Sequence, residues 1–462
     1  MDRDENMLPG IDPEGLHKVT QPVHAELSGS VPVNSPEAEQ ADGEAARQPA
    51  EEAPAAEPEK PAEPRMSDRE VMQHTASMWR YRTIAEDGTE LHTECHCKYT
   101  RTEAGDIIGA RVRGKKHKHE GTNCDDWFET AYTDGCFIAV TADGAGSKLL
   151  SRIGARVSCE GAVDYLRQAL SKLMSDEPEI KAQLSSDMGG EQFMAACGRL
   201  APLIQNAARA GFDAVIAKLG RIYGDSTYIT ALGRNPTLED MGSTFLAAVA
   251  IPLEVNGARE NFVLSAQIGD GCICAIDSGA GHEHCFRLLG EADSGAYSGE
   301  TDFLSAKTVS EGVIARKTRI SRGRSDIIML MSDGVADDYF PAQPMMKRLY
   351  LDLCLNGILP MQGEAAQPQP PEPLSFPAVS PEQQAVALQY AKQLYGGADS
   401  PEQAVNELWD RRSELRQHSL EAYGMSLGDK PQDRLLTWLD NYNERGSFDD
   451  RTLVIIELGR TE

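Results

Sequence analysis

Short apolar runs recur along this chain, and several of them stop at a carboxylate. Cys136-Phe-Ile-Ala-Val-Thr-Ala142 ends at Asp143-Gly144, and Ile327-Ile-Met-Leu-Met331 ends, after Ser332, at Asp333-Gly334. Asp449-Asp450 stands just before Thr452-Leu-Val-Ile-Ile456. Length and β-branched content predict strands for these runs and for 244–252, 262–268 and 272–276. Hairpins are expected around Asp87-Gly88 and Ala104-Gly105, and a turn at Asp134-Gly135. The period then changes. Val157, Ala162, Val163, Leu166, Leu170 and Leu173 have helical spacing over 155–174, and a second helix is expected at about 192–220.

The order is strands, helices, strands, a helical insertion at about 341–445 and a closing strand. Helical stretches are expected there at about 380–396, 401–417 and 431–443, and this is too much chain for a plain loop. Consecutive strands favour an α+β fold over a doubly wound sheet. Strands apolar on both faces, such as 327–331, predict sheets stacked on each other and covered by helices. Both ends of the insertion adjoin carboxylates, so a lid or substrate platform is expected from it.

Composition adds a tail. Residues 1–65 hold 15 Asp or Glu against 5 Lys or Arg and are rich in Pro, Ala and Glu, so a disordered arm is expected there, with the folded domain over 66–462. The arm carries −10 of the chain's −27, and the remaining −17 leaves the rest acidic as well. Nucleic-acid and anionic-membrane binding are therefore not expected. The N-terminus has no signal-peptide pattern, no apolar run is long enough for a membrane span, and the cysteines sit in apolar runs rather than in a disulfide framework. A cytoplasmic location is the expectation.

Carboxylates at strand ends make an oxygen-rich site for hard divalent cations. Asp143-Gly-Ala-Gly-Ser147 would be an ordinary turn taken alone, and so would Ile268-Gly-Asp-Gly271 between its two apolar runs. Asp125-Asp126, a polar loop if taken alone, follows the basic run Lys115-Lys-His-Lys-His119, which reads as solvated surface or as a phosphate-binding edge. Asp333-Gly-Val-Ala-Asp337 adds another carboxylate. His92, Cys95, His96 and Cys97 lack the spacing of a structural zinc site, and Cys95 and Cys97 would share one face of a strand.

Taken in order, these segments resemble the metal-dependent serine/threonine protein phosphatases of type 2C, in a bacterial-like branch. The resemblance runs from about Gly114 to Glu457, through Gly114-Lys-Lys-His-Lys-His-Glu-Gly-Thr-Asn-Cys-Asp-Asp126, Asp143-Gly-Ala-Gly-Ser147, Gly242-Ser-Thr244, Ile268-Gly-Asp270, Asp333-Gly-Val-Ala-Asp337 and Asp449-Asp450-Arg-Thr452. It implies a four-layer α-β-β-α sandwich of two antiparallel sheets. It also implies two Mg²⁺ or Mn²⁺ ions, with a place for a weaker third. Asp143 would bridge both metals, the Gly144 carbonyl would join it, and Asp333 and Asp449 would complete the second metal's shell. Asp126 would act through water, and Asp270 with Asp337 matches the third place. Many relatives have an Arg where this chain has Gly121, which leaves His117, with Lys118 and His119, as the expected phosphate grip.

The implied activity is hydrolysis of phosphoserine and phosphothreonine by direct attack of a water bridging two metals. His117, Asp126 and Asp143 would be its catalytic residues, and His117 would be proton donor or anchor. Phosphorylated proteins and a cognate serine/threonine kinase are the expected partners. An inactive phosphatase-fold module that binds a phosphoprotein or kinase is the alternative, and a hydrolase of small phosphate esters is a weaker one.

Overall fold

A computed structural model describes residues 80–277, 286–292, 301–359, 400, 430–441 and 448–459. Eleven strands are found among them: β1 (Cys95–Arg101), β2 (Gly105–Val112), β3 (Trp127–Thr133), β4 (Cys136–Ala142), β5 (Phe245–Val255), β6 (Ala258–Ile268), β7 (Cys272–Ile276), β8 (Phe286–Leu288), β9 (Thr318–Gly323), β10 (Ile327–Met331) and β11 (Arg451–Leu458). They form two antiparallel sheets, ordered β1-β2-β11-β10-β7-β8 and β3-β4-β5-β6-β9. Helix α1 (Lys115–Glu120) follows β2. Helices α2 (Ser151–Asp176) and α3 (Glu191–Ile222) cover the second sheet, and α4 (Ala342–Leu355) and α5 (Pro431–Asn441) cover the first.

The apolar runs form strands because each of their faces meets a different core. In β10, Ile328 and Leu330 face the other sheet, while Ile327, Met329 and Met331 face the helices α4 and α5. Strand β11 repeats this, with Val454 and Ile456 inward and Leu453 and Ile455 outward. In β4, Phe137 and Ala139 point between the sheets and Cys136, Ile138 and Val140 point at α2 and α3. Each fully buried Leu or Ile contributes about 1.5–3 kcal/mol, so a register slip of one residue would be costly. The inner layer also contains Ala139, Ala248, Ala250 and Ala275, whose small side chains let the sheets approach. The expected α-β-β-α sandwich is therefore present.

Several local expectations are corrected. No hairpin surrounds Asp87-Gly88: residues 80–94 run as an irregular strap, because Asp87 accepts hydrogen bonds from the Thr89 amide and hydroxyl and Arg152 holds the Glu90 carbonyl. Ile268-Gly-Asp-Gly271 is not a hairpin turn either, since it carries the chain from β6 in one sheet to β7 in the other. The basic run, one reading of which is solvated surface, forms helix α1 with His117 buried. Strands β8 and β9 lacked a clear apolar pattern because they lie at the sheet edges.

The two described ends of the expected insertion, α4 and α5, pack Met346, Leu349, Leu353, Leu435, Leu436 and Leu439 onto the first sheet. These ends serve as the fourth layer of the sandwich. The helices expected at 380–396 and 401–417, and the acidic arm, lie outside the described residues.

Candidate metal centre

Register brings the strand-end carboxylates to one edge of the sandwich. In the second sheet Trp127 pairs with Ala142 and Phe245 with Ile268, so Asp126, Asp143 and Asp270 leave their strands at the same end. In the first sheet Met331 pairs with both Leu453 and Cys272, which places Asp333 and the Asp449-Asp450 pair beside them. Carboxylate oxygens of Asp143, Asp270 and Asp333 lie within 4.8 Å of one another. The Asp143 backbone is fixed by Thr244, whose hydroxyl accepts from the Asp143 amide at 2.8 Å and whose amide donates to the Asp143 carbonyl. Gly144 bridges to Ser243 and packs against the Asp125 carbonyl.

The cluster is under electrostatic stress. Burial, then the neighbouring Asp126 and Asp333 charges, push the Asp143 carboxyl well above the usual range. Burial and Asp450 raise Asp126 to about 8, and burial, with Asp270, Asp449 and Asp337 adding repulsion, raises Asp333 to about 7. Oδ1 of Asp126 and Oδ1 of Asp333 are buried with no hydrogen-bond partner among the described residues. Asp126 Oδ2, by contrast, accepts from the Thr452 hydroxyl at 2.6 Å. A hard cation would satisfy those oxygens and relieve the repulsion, so the donor set fits divalent metal. Asp337 stands exposed at the rim, its carboxyl raised by partial shielding and then by Asp270.

A second group sits beside the first. Asp450 is buried and accepts from the Gly114 amide at 2.6 Å and the Asp125 amide at 2.5 Å. His117 Nδ1 lies 2.9 Å from Asp450 Oδ2, and its Nε2 lies 3.7 Å from Asp449 Oδ1. Burial alone would lower the His117 pKa, but Asp450, Asp125 and Asp449 outweigh it and raise it to about 10. His117 is thus an imidazolium at neutral pH. Gly334 lets this corner close, because a Cβ there would fall 1.9 Å from the Asp450 carbonyl oxygen.

The protein phosphatase 2C family model matches residues 113–354, more than half of the sequence. This chain belongs to the protein phosphatase 2C family. Its fold resembles the serine-threonine phosphatase 2C of Toxoplasma gondii at 12% identity, over 80% of this chain and 100% of that one, with a TM-score of 0.34. The Mycobacterium smegmatis PPM Ser-Thr phosphatase MsPP, in complex with cacodylate, is 15% identical over 78% and 100%, with a TM-score of 0.26. The SiaA-PP2C domain of Pseudomonas aeruginosa is 8% identical over 85% and 93%, with a TM-score of 0.27. No curated protein sequence matches this chain.

In this member of the phosphatase 2C family the match ends within α4, so Asp449 and Asp450 come from beyond it, on the far side of the insertion. Of the expected site residues, Asp126, Asp143, Gly144, Asp270, Asp333, Asp449 and His117 share one edge, with Asp337 at its rim. Lys118 and His119 do not join them. Lys118 pairs with Asp440 on α5, and His119 Nδ1 accepts from the Arg80 amide at 3.1 Å. Gly121, where the resemblance implies an Arg, caps α1 in the left-handed region at φ 79°, a backbone that disfavours Arg.

Sequence reasoning gave no individual role to Asp450, Thr244 or Thr452, and it included Lys116 only within the basic run read as a phosphate-binding edge. Asp450 was visible as half of a pair, but its burial was not. The four residues around the zinc-like cluster diverge: Cys95 enters the outer core with Cys97 against it, while His92 and His96 both contact the Trp127 ring. Among the described residues no helix is long and apolar enough to cross a membrane.

Proposed function

We propose that this protein is a metal-dependent phosphatase of phosphoserine and phosphothreonine in proteins. The observation that carries the reading is the convergence of Asp143, Asp270 and Asp333 from separate strand ends onto one point. Asp143, the Gly144 carbonyl, Asp333 and Asp449 would hold two Mg²⁺ or Mn²⁺ ions, and Asp270 with Asp337 would hold a weaker third. Bound ions of this kind lower the pKa of water from 15.7 toward neutrality, to about 7 in favourable sites, and offset phosphoryl charge. Asp126, with one oxygen held by Thr452 and the other free among the described residues, orients water at the floor of the site. His117, kept protonated by Asp450, presents Nε2 on the Asp449 side and can donate a proton to the leaving oxygen. Arg113 supports His117 from behind by donating to its backbone carbonyl at 2.8 Å. No side-chain nucleophile is needed: the nine described cysteines are free thiols, and eight are buried.

The test is phosphate release from a phosphothreonine peptide with Mn²⁺. Chelator should abolish it, and Asp143→Asn or Asp333→Asn should lower kcat by about 10³-fold or more, the scale of losing a principal electrostatic element of a site. Full turnover in excess chelator, or undiminished turnover in both variants, would rule the reading out.

A further inference from the structure

We propose that Lys116 is a phosphoryl-binding residue of this site, gripping the substrate phosphate together with His117. The inference rests on the phosphatase reading above. Four basic residues occupy successive positions of α1 from Lys115 to Lys118, and three of them are engaged. His117 pairs with Asp450, and Lys118 with Asp440. Lys115 is half-buried, and that burial, followed by Arg451 and Lys118, lowers it to about 8 against the pull of Asp338 and Asp440.

Lys116 differs. It is half-buried, and its side chain has no hydrogen bond or ion pair among the described residues. Its amide donates to the Phe448 carbonyl at 2.9 Å, which ties this residue next to Asp449. Its ammonium faces the loop that carries Asp143. A Cβ built on Gly146 would lie 3.9 Å from Lys116 Nζ and 4.0 Å from His117 Nε2, with no closer neighbour. Two side-chain nitrogens therefore flank one open space beside the acid cluster. A phosphate oxygen is the acceptor that fits a pair of nitrogen donors there, and lysine binds phosphate as a point charge. Gly146 keeps the space open, whereas Gly144, two residues earlier, is closely packed.

The experiment uses the full chain with Mn²⁺. Lys116→Met should raise KM for a phosphothreonine peptide, and weaken inhibition by inorganic phosphate, by about tenfold to a hundredfold, as for loss of one charged hydrogen bond. Lys116→Arg should restore both to within about threefold, since the charge is kept. In the wild-type protein, saturating inorganic phosphate should protect Lys116 from acylation, read by mass spectrometry, and this arm needs no variant to fold. An active Lys116→Met protein with unchanged KM and phosphate inhibition overturns the grip and leaves the phosphatase reading standing. Acylation unaffected by phosphate in an active wild-type protein does the same. Absence of any turnover by the wild-type protein overturns the phosphatase reading itself.

Discussion

Asp450 and Asp333 are both acids at strand ends of the same sheet, the first buried and the second half-buried, yet their surroundings oppose each other. Asp450 accepts two backbone amides and faces the His117 imidazolium, so these partners outweigh burial and hold its pKa below the usual carboxylate value. Asp333 lies among other acids, and burial, then repulsion from Asp270 and Asp449, raises it to about 7. The first carboxylate is satisfied by the protein and serves the fold. The second is left unsatisfied, and a folded protein retains such repulsion where a ligand relieves it. Neighbours in sequence divide the same way: Asp449 is half-exposed toward the cleft, and Asp450 is sealed behind it.

The largest effect expected from this contrast is on stability. Asp450→Ala should destabilise the protein by about 3–5 kcal/mol in urea unfolding, the cost of breaking a buried charge pair. Asp333→Asn, measured metal-free at pH 8, should instead stabilise by about 1 kcal/mol, because it removes one of several repelling charges. Equal losses from both substitutions would erase the distinction.

A pH series sharpens it. Asp125, Asp126 and Asp333 are raised in the folded protein to about 7, 8 and 7, burial being the first cause in each case. A carboxyl raised above its unfolded value stabilises the fold below the unfolded pKa and loses that contribution as pH rises through the folded one. The metal-free protein should therefore lose stability between pH 4 and 8, with Tm falling most between about pH 5 and 7. His117, raised to about 10, shifts in the same sense, its contribution fading from about pH 6.5 upward. Saturating Mn²⁺ should flatten the alkaline fall, since the cation takes the place of the protons. A metal-free Tm that rises steadily from pH 5 to 8 would contradict the repulsion.

The smallest effect concerns the support of α1. Asp440→Asn, which removes the carboxylate charge paired with Lys118, should change KM less than twofold, because this pair lies outside the proposed phosphate grip. A large rise in KM would instead place Lys118 in the site.

Legibility followed the range of the interactions. The runs ending at Asp143 and Asp333, and the helices at about 155–174 and 192–220, were readable because burial on known faces imposes a local period. Strand β9, at a sheet edge, had little buried surface to imprint one. The Asp87-Gly88 turn misled because Asp-Gly chemistry is also met by a single Asp side chain bonding its own backbone two residues on, as Asp87 does with Thr89.

By itself the sequence determined the strand ends, the family and the set of acids available to bind metal, because periodicity and ordered motifs are local properties. Only the tertiary structure decided which acids meet and which are spent on the fold. It moved Asp450 behind Asp449, turned Lys118 and His119 away, and left Lys116 facing the cleft. Those choices depend on strand register and on the short helix α1, where a single residue's step of about 100° separates a side chain held by the protein from one left open.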